Sequence, residues 1–278
     1  MNNNGALHLK VGDFSTGQAE NCELLIRIGA GRLSFAIIDT KENLLKVLFD
    51  SVLFSSIAET FNDLFNQNEY LGYAFQKVKI ATETFNFTFI PSELYSDNSL
   101  LVYQNFINST GQVRHVIKDL KGAKIKTVAS IEEAFIAPLL AKFPQAAIYT
   151  QPEPLIEGSL KDRSGNKTLV LQFNSGTFEA LVISSNDIIF YNIFSSPTTD
   201  DFNYYLLLIM QQLELKPSDI AVRLMGEIEK YSENYRRVSK YFNNITFADS
   251  TKLFNYPEAF KLAPSHQFFS LLSLSLCE

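Results

Sequence analysis

The stretch LLIRIGAGRLSFAIID, residues 24–39, returns without gaps 145 residues later as LVLQFNSGTFEALVIS, residues 169–184. Nine of the sixteen aligned positions are apolar in both copies, and Gly31 falls on Gly176. Two apolar runs around a glycine turn are the signature of a β-hairpin. Shared strand composition by itself accounts for one such match. The segments downstream narrow the choice. KVLFDSV (46–52) leads to SIAETFNDLFNQ (56–67), with Ser55 or Ser56 as N-cap, and IIFYNIF (188–194) leads to DDFNYYLLLIMQQLEL (200–215). A strand pair, a third strand and a helix in the same order twice predict two similar α/β halves facing a cleft.

The rest of the chain fits that alternation. FQKVKIATETFNFTFIP (75–91) reads as strands and AAIYTQ (146–151) as a short one. ASIEEAFIAPLLAKF (129–143) reads as a helix that runs through Pro138, with Ser130 and Glu133 at capping-box spacing. IAVRLMGEI (220–228) is a strand entering a glycine turn before a helix over 229–242. The prolines, glycines and charges of QPEPLIEGSLKDRSGN (151–166) mark the expected boundary. The halves are then 1–164 and 165–278, with polar residues 1–20 as a loosely held lead-in.

Composition limits the function classes. At 278 residues and 46% hydrophobic, the chain can bury a sizeable core, with 24 Phe and no Trp as filler. A net charge of −6 argues against nucleic acid as partner. The most basic stretch, RHVIKDLKGAKIK (114–126), reads as a solvated helix face. Cys22 and Cys277 are too few for a disulfide framework or a zinc site, and three histidines are scattered. With no signal peptide and no membrane-length apolar run, the expectation is a soluble cytoplasmic protein.

The duplicated strand–turn–strand–strand–helix order resembles the actin-like ATPase (ribonuclease H-like) fold of actin, Hsp70 and sugar kinases. IAVRLMGEIEKYSENYRRVSKYF (220–242) is similar to that superfamily's adenosine segment. FTFIPSELYSDNSLLVYQNF (87–106), FPQAAIYTQPEPLIEGSL (143–160) and FFSLLSLSLC (268–277) resemble a bacterial family of unknown function with this fold, over nearly the full length. The actin-like protein of type IV pilus assembly is a more distant likeness. The resemblance implies two lobes, a central nucleotide cleft, and an Asp before each pair of hairpin glycines to organise Mg²⁺ and the attacking water.

This chain departs at both positions, where Arg27 and Gln172 stand. A guanidinium cannot ligate Mg²⁺, and an amide supplies no charge. Met225-Gly226-Glu227 retains one glycine of the usual adenosine pair. Gly29, Gly31, Ser34, Asn174, Ser175, Gly176 and Thr177 can still offer N–H groups or hydroxyls to an anion, with Arg27 and Arg32 as counter-charges and Gly226 at the adenosine. The other reading makes the two glycine loops tight turns that need positive φ. The expectation is a non-catalytic binding or scaffold protein with a degenerate nucleotide site, no catalytic residue, no metal, and at most ATP or ADP held weakly without metal. A protein partner is expected. The alternatives are an atypical ATPase or small-molecule kinase, and a cell-envelope assembly component. Thr198-Thr199-Asp200-Asp201 reads as a helix cap and FFSLLSL (268–274) as a core-facing segment.

Overall fold

The computed structural model describes residues 6–12, 14–29, 31–53, 55–107, 111–162, 167–185 and 187–278. Strand β1 (Leu7–Lys10) and the short helix α1 (Thr16–Ala19) lead into β2 (Cys22–Gly29), β3 (Arg32–Asp39), β4 (Leu44–Val52) and α2 (Ile57–Gln67). Next come β5 (Lys77–Thr82), β6 (Phe87–Pro91), α3 (Leu100–Gln104), β7 (Val113–Leu120) and β8 (Ile125–Glu132). Then follow α4 (Glu133–Lys142), β9 (Ala147–Thr150) and α5 (Pro152–Lys161). The remainder is β10 (Thr168–Asn174), β11 (Thr177–Ser184), β12 (Asp187–Ser195), α6 (Thr199–Gln212), β13 (Ala221–Gly226), α7 (Glu233–Tyr241), β14 (Ile245–Phe247) and α8 (Phe269–Ser273).

Two sheets carry the duplication. The first has strand order β1-β4-β3-β2-β5-β9 and the second β12-β11-β10-β13-β14. In each, an antiparallel three-strand meander is extended by two parallel strands. The match reaches single residues. Gly29 pairs with Arg32 and Asn174 with Thr177, so each hairpin closes over two residues at the same place in the repeat. The second and third strands shift register between Ile37 and Ile38 in one copy and between Val182 and Ile183 in the other, again the same place. A third, antiparallel sheet, β6-β8-β7, is inserted between β5 and α4.

Alternation along the strands distributes the core. Leu24, Ile26 and Ile28 pack with Phe61, Leu64, Ile136 and Leu139 of α2 and α4. Leu169, Leu171 and Phe173 pack with Phe202, Leu206 and Val238 of α6 and α7. The opposite faces, Leu25 and Val170 among them, meet a central layer formed by α5 and α8. Both faces of both sheets are covered, which is why the strands read as continuous apolar runs.

The structure corrects four expectations. Residues 152–160 are not an exposed boundary: α5 buries Pro152, Glu153, Pro154, Leu155, Ile156, Gly158, Ser159 and Leu160. Its prolines sit in the first turn, where no intrahelical N–H is needed. The division at 164/165 lies outside the described residues. The lead-in is not loose over its described part, because β1 pairs with β4 and Phe14 and Ala19 are buried. The basic stretch 114–126 is not a helix face but the β7–β8 hairpin. Ser130 caps nothing: it lies in β8 with its hydroxyl 2.9 Å from His115 Nδ1, and α4 follows Glu132 directly. The 268–274 segment is core-facing as expected. Among the described residues no helix is long and apolar enough to cross a membrane.

Gly158 is where α5 and α8 touch. A Cβ there would collide with Ser273 Oγ and lie 2.8 Å from the Phe269 ring. Gly158→Ala is expected to destabilise the protein by about 1–3 kcal/mol through overpacking, measured as a lower urea midpoint at unchanged slope.

Candidate functional site

The two hairpins come into contact where Arg27 of the first reaches Asn174 of the second. Gly31 has φ +70° and Gly176 φ +71°, and a Cβ at either would meet nothing within 4 Å. Backbone conformation, not close approach, selects glycine there. Gly31, Ser175 and Gly176 are exposed at the tips. Gly226 differs: its φ is +79°, and a Cβ would collide with the Phe173 carbonyl oxygen.

A reciprocal contact ties the halves. Glu83 follows β5 and donates its N–H to Ile28 O at 3.1 Å, while Glu227 follows β13 and donates to Phe173 O at 2.9 Å. Each glutamate then reaches the other half's hairpin. Thr177 Oγ1 donates to Glu83 Oε1 at 3.2 Å, and Arg32 Nε lies 3.2 Å from Glu227 Oε1. Thr177 and Arg32 hold the same position in the repeat, so one contact is made twice in opposite directions.

Arg27 adds a third tie. Its Nη2 donates to Asn174 Oδ1 at 2.8 Å and stands 3.9 Å from Glu179 Oε1. Glu179 is fully buried and also accepts from Asn174 Nδ2 at 3.2 Å and Tyr191 Oη at 2.7 Å. Burial pushes its carboxyl up to about 7, against the pull of Arg27 and of these hydrogen bonds, with Glu83 adding a further upward push. Gln172, also fully buried, donates to Asn174 Oδ1 at 3.2 Å. Arg32 makes a two-pronged contact with Asp50, whose Oδ1 accepts from Ser34 Oγ at 2.6 Å.

These contacts fill the cleft. Arg27, Gly29, Arg32, Ser34, Asn174 and Gly226 line a central cavity of about 20 Å³, a space of the order of one water molecule. Gln267, Phe268 and Leu271, leading into and along α8, close it from the side. Gly31, Ser175, Gly176 and Thr177 do not line it. A polar recess of about 450 Å³ lies beside Gly226, where the resemblance puts adenosine. Arg32 and Glu227 line both spaces, so their ion pair stands between them. Glu227, Glu229 and Glu233 on that recess repel a phosphate.

The resemblance implies Mg²⁺, and the residues present do not fit it. The two expected carboxylate positions are a guanidinium and a buried amide, and the nearby acids are engaged by side chains: Asp50 and Glu227 by Arg32, Glu179 by Arg27 and Tyr191, and Glu83 by Thr177. Among the described residues no group of three or more His, Cys, Asp or Glu is gathered as a metal site. The structure thus joins five of the nine candidates, Gly29, Arg32, Ser34, Asn174 and Gly226, but around side-chain pairs rather than around an open anion cradle. Ser34 is turned to Asp50, and Thr177 to Glu83. Sequence reasoning missed Asp50, Glu83, Glu179 and Tyr191. The available signal was an acid inside an apolar strand, as in KVLFDSV and GTFEALVIS, which demands a partner when buried. Thr198 and Asp201 form a reciprocal helix cap, as expected.

Glu179 makes stability depend on pH. Its folded carboxyl is raised above the unfolded value of 4.5. The associated stability is complete below that value and is lost as pH rises through about 7. Glu153, pushed up to about 6 by burial, acts in the same direction. The urea midpoint is expected to fall between pH 5 and 8, and Glu179→Gln, neutral throughout, to flatten part of that fall; an unchanged slope would refute it. Arg27→Ala leaves Asn174 and Glu179 short of a partner and is expected to cost about 1–3 kcal/mol at pH 8, read from the same titration.

Comparison with known proteins agrees with this architecture. A crystal structure from Bacteroides thetaiotaomicron VPI-5482, of a protein with actin-like ATPase fold and unknown function, is 20% identical with TM-score 0.80, over 96% of this chain and 100% of that one. The PilM–PilN type IV pilus biogenesis complex is 13% identical with TM-score 0.59, over 93% of this chain and 98% of that one. Both likenesses show the fold: α/β, duplicated and actin-like. No curated protein matches the chain. Residues 12–245 match the family described as protein of unknown function DUF3822, and the chain belongs to that family.

Proposed function

We propose that this chain is a non-catalytic actin-like scaffold whose two lobes, 1–164 and 165–278, are held closed by side chains instead of by a nucleotide. The observation that carries the reading is Arg27. It occupies a position where the fold's ATPases place a metal-organising acid, and it spends its guanidinium on Asn174 and Glu179 of the other half. Arg32 is likewise committed to Asp50 and Glu227. A phosphate entering between the hairpins would have to displace these partly buried contacts from both arginines.

A scaffold works through a partner, and the fold supplies a precedent in the PilM–PilN complex. The same likeness favours cell-envelope assembly as the setting, with this chain as a recruited component. The acidic surface, net charge −6, supports a protein partner over nucleic acid. The two free, buried thiols are in keeping with a cytoplasmic, reducing location.

Thermal unfolding with ATP, ADP and AMP, each with and without Mg²⁺, tests the reading. A nucleotide present at 100 times its dissociation constant would add about 2.7 kcal/mol of stability. The expected result is no Mg²⁺-dependent rise in Tm and no phosphate release. A Mg²⁺-dependent rise, with phosphate release abolished in Gly176→Val, would establish the rival reading of an atypical ATPase or kinase.

A further inference from the structure

An apolar recess of about 640 Å³ opens beside the first hairpin, between the starts of α2 and α4. Ile28, Leu53, Ile57, Phe85 and Phe135 wall it, and Glu83 is its one charged lining residue among those described. Phe85 is 54% exposed and Phe135 42%, so the rim offers aromatic surface to solvent. The volume lies within the range of about 300–1,000 Å³ typical of binding pockets. Single exposed apolar side chains need no explanation, but two aromatic rings at the mouth of an apolar concavity mark an interaction site.

Charge specifies the occupant. No Lys or Arg lines the recess among the described residues. Glu83 accepts from Thr177 but has no ion pair among the described residues, whereas Glu179 and Glu227 at the same cleft face Arg27 and Arg32. The flanking Glu59 on α2 and Glu132 before α4 are exposed. A carboxylate against an apolar wall favours a cation that arrives with apolar groups. We propose that this groove seats a short apolar segment of a protein partner, with a Lys or Arg adjacent to its hydrophobic anchor and paired to Glu83. The proposal rests on the scaffold reading and names the surface through which the scaffold acts. Because Glu83 also holds Thr177 of the second half, a cation on Glu83 competes for the carboxylate that ties the lobes.

The test uses the full, isotope-labelled chain and two defined probes, acetyl-Leu-Phe-Lys-amide and acetyl-Leu-Phe-Glu-amide, followed by amide chemical shifts. The lysine peptide is expected to shift residues 28, 57–58, 83–85 and 134–135 at millimolar concentration and to bind at least about tenfold more tightly than the glutamate peptide. Glu83→Gln should reduce that preference to within about threefold, and Ala58→Trp, on an exposed helix position, should fill the groove and abolish the shifts without unfolding the chain. Equal binding of the two peptides, no shifts at these residues, or unchanged shifts in Ala58→Trp would overturn the proposal. Octylammonium shifting the same residues while neither peptide does would also overturn it, assigning the groove to a small amphiphile. Peptide failure leaves the nucleotide result untouched, and a Mg²⁺–nucleotide response with intact peptide binding would sink the scaffold reading alone.

Discussion

Arg32 holds Asp50 on its own sheet and Glu227 on the other, while Arg27 reaches from the first hairpin to Asn174 and Glu179 beyond the second. The relation between the two halves depends on this pair of guanidiniums. Both guanidiniums are half-buried, where an ion pair is screened less than at the open surface, and each is answered locally. Arg27 is answered from the opposite half, and Arg32 by Asp50 of its own half together with Glu227 of the other. The duplicated hairpins therefore face each other through cations and acids that complement one another. The reciprocal glutamates Glu83 and Glu227 show that the arrangement follows from the repeat itself: the same backbone position in each half aims a carboxylate at the other half's hairpin.

The central layer enforces the same closure from behind. α5 and α8 lie between the sheets, and Gly158 lets them approach until Ser273 and Phe269 occupy the space a side chain would need. Phe268 and Leu271 then reach the wall of the central cavity. Closure is thus supported by apolar burial on one side and ion pairs on the other. Both carry a buried acid, Glu153 in α5 and Glu179 in the ion-pair network, whose raised carboxyls make closure sensitive to pH. Glu83 links the network to the apolar groove outside, since one carboxylate both accepts from Thr177 and lines the groove.

The sequence by itself determined the duplicated hairpin, because apolar alternation and a glycine at the same offset survive independently of what surrounds them. It also placed the meanders, α2 with a cap at Ser55 or Ser56, a capped α6 start within Thr198–Asp201, and the loss of both expected acids at Arg27 and Gln172, and the structure settles the caps on Ser56 and on Thr198 with Asp201. Only the tertiary structure decided where α5 goes. Proline, glycine and charge in residues 151–166 have the local chemistry of a linker, and the burial of Pro152–Leu160 against α8 is set by residues more than a hundred positions away. Likewise Ser130 and Glu133 have capping-box spacing, yet β8 carries strand pairing through Glu132 and leaves no cap to make. The site divides in the same way. Which residues stand at the hairpins was legible in one dimension. Their commitment was not, because pairing depends on distance in space: Asp50 reaches Arg32 and Ser34 through the β3–β4 register, and Glu179, Glu83 and Glu227 reach their partners only when the two sheets are brought face to face.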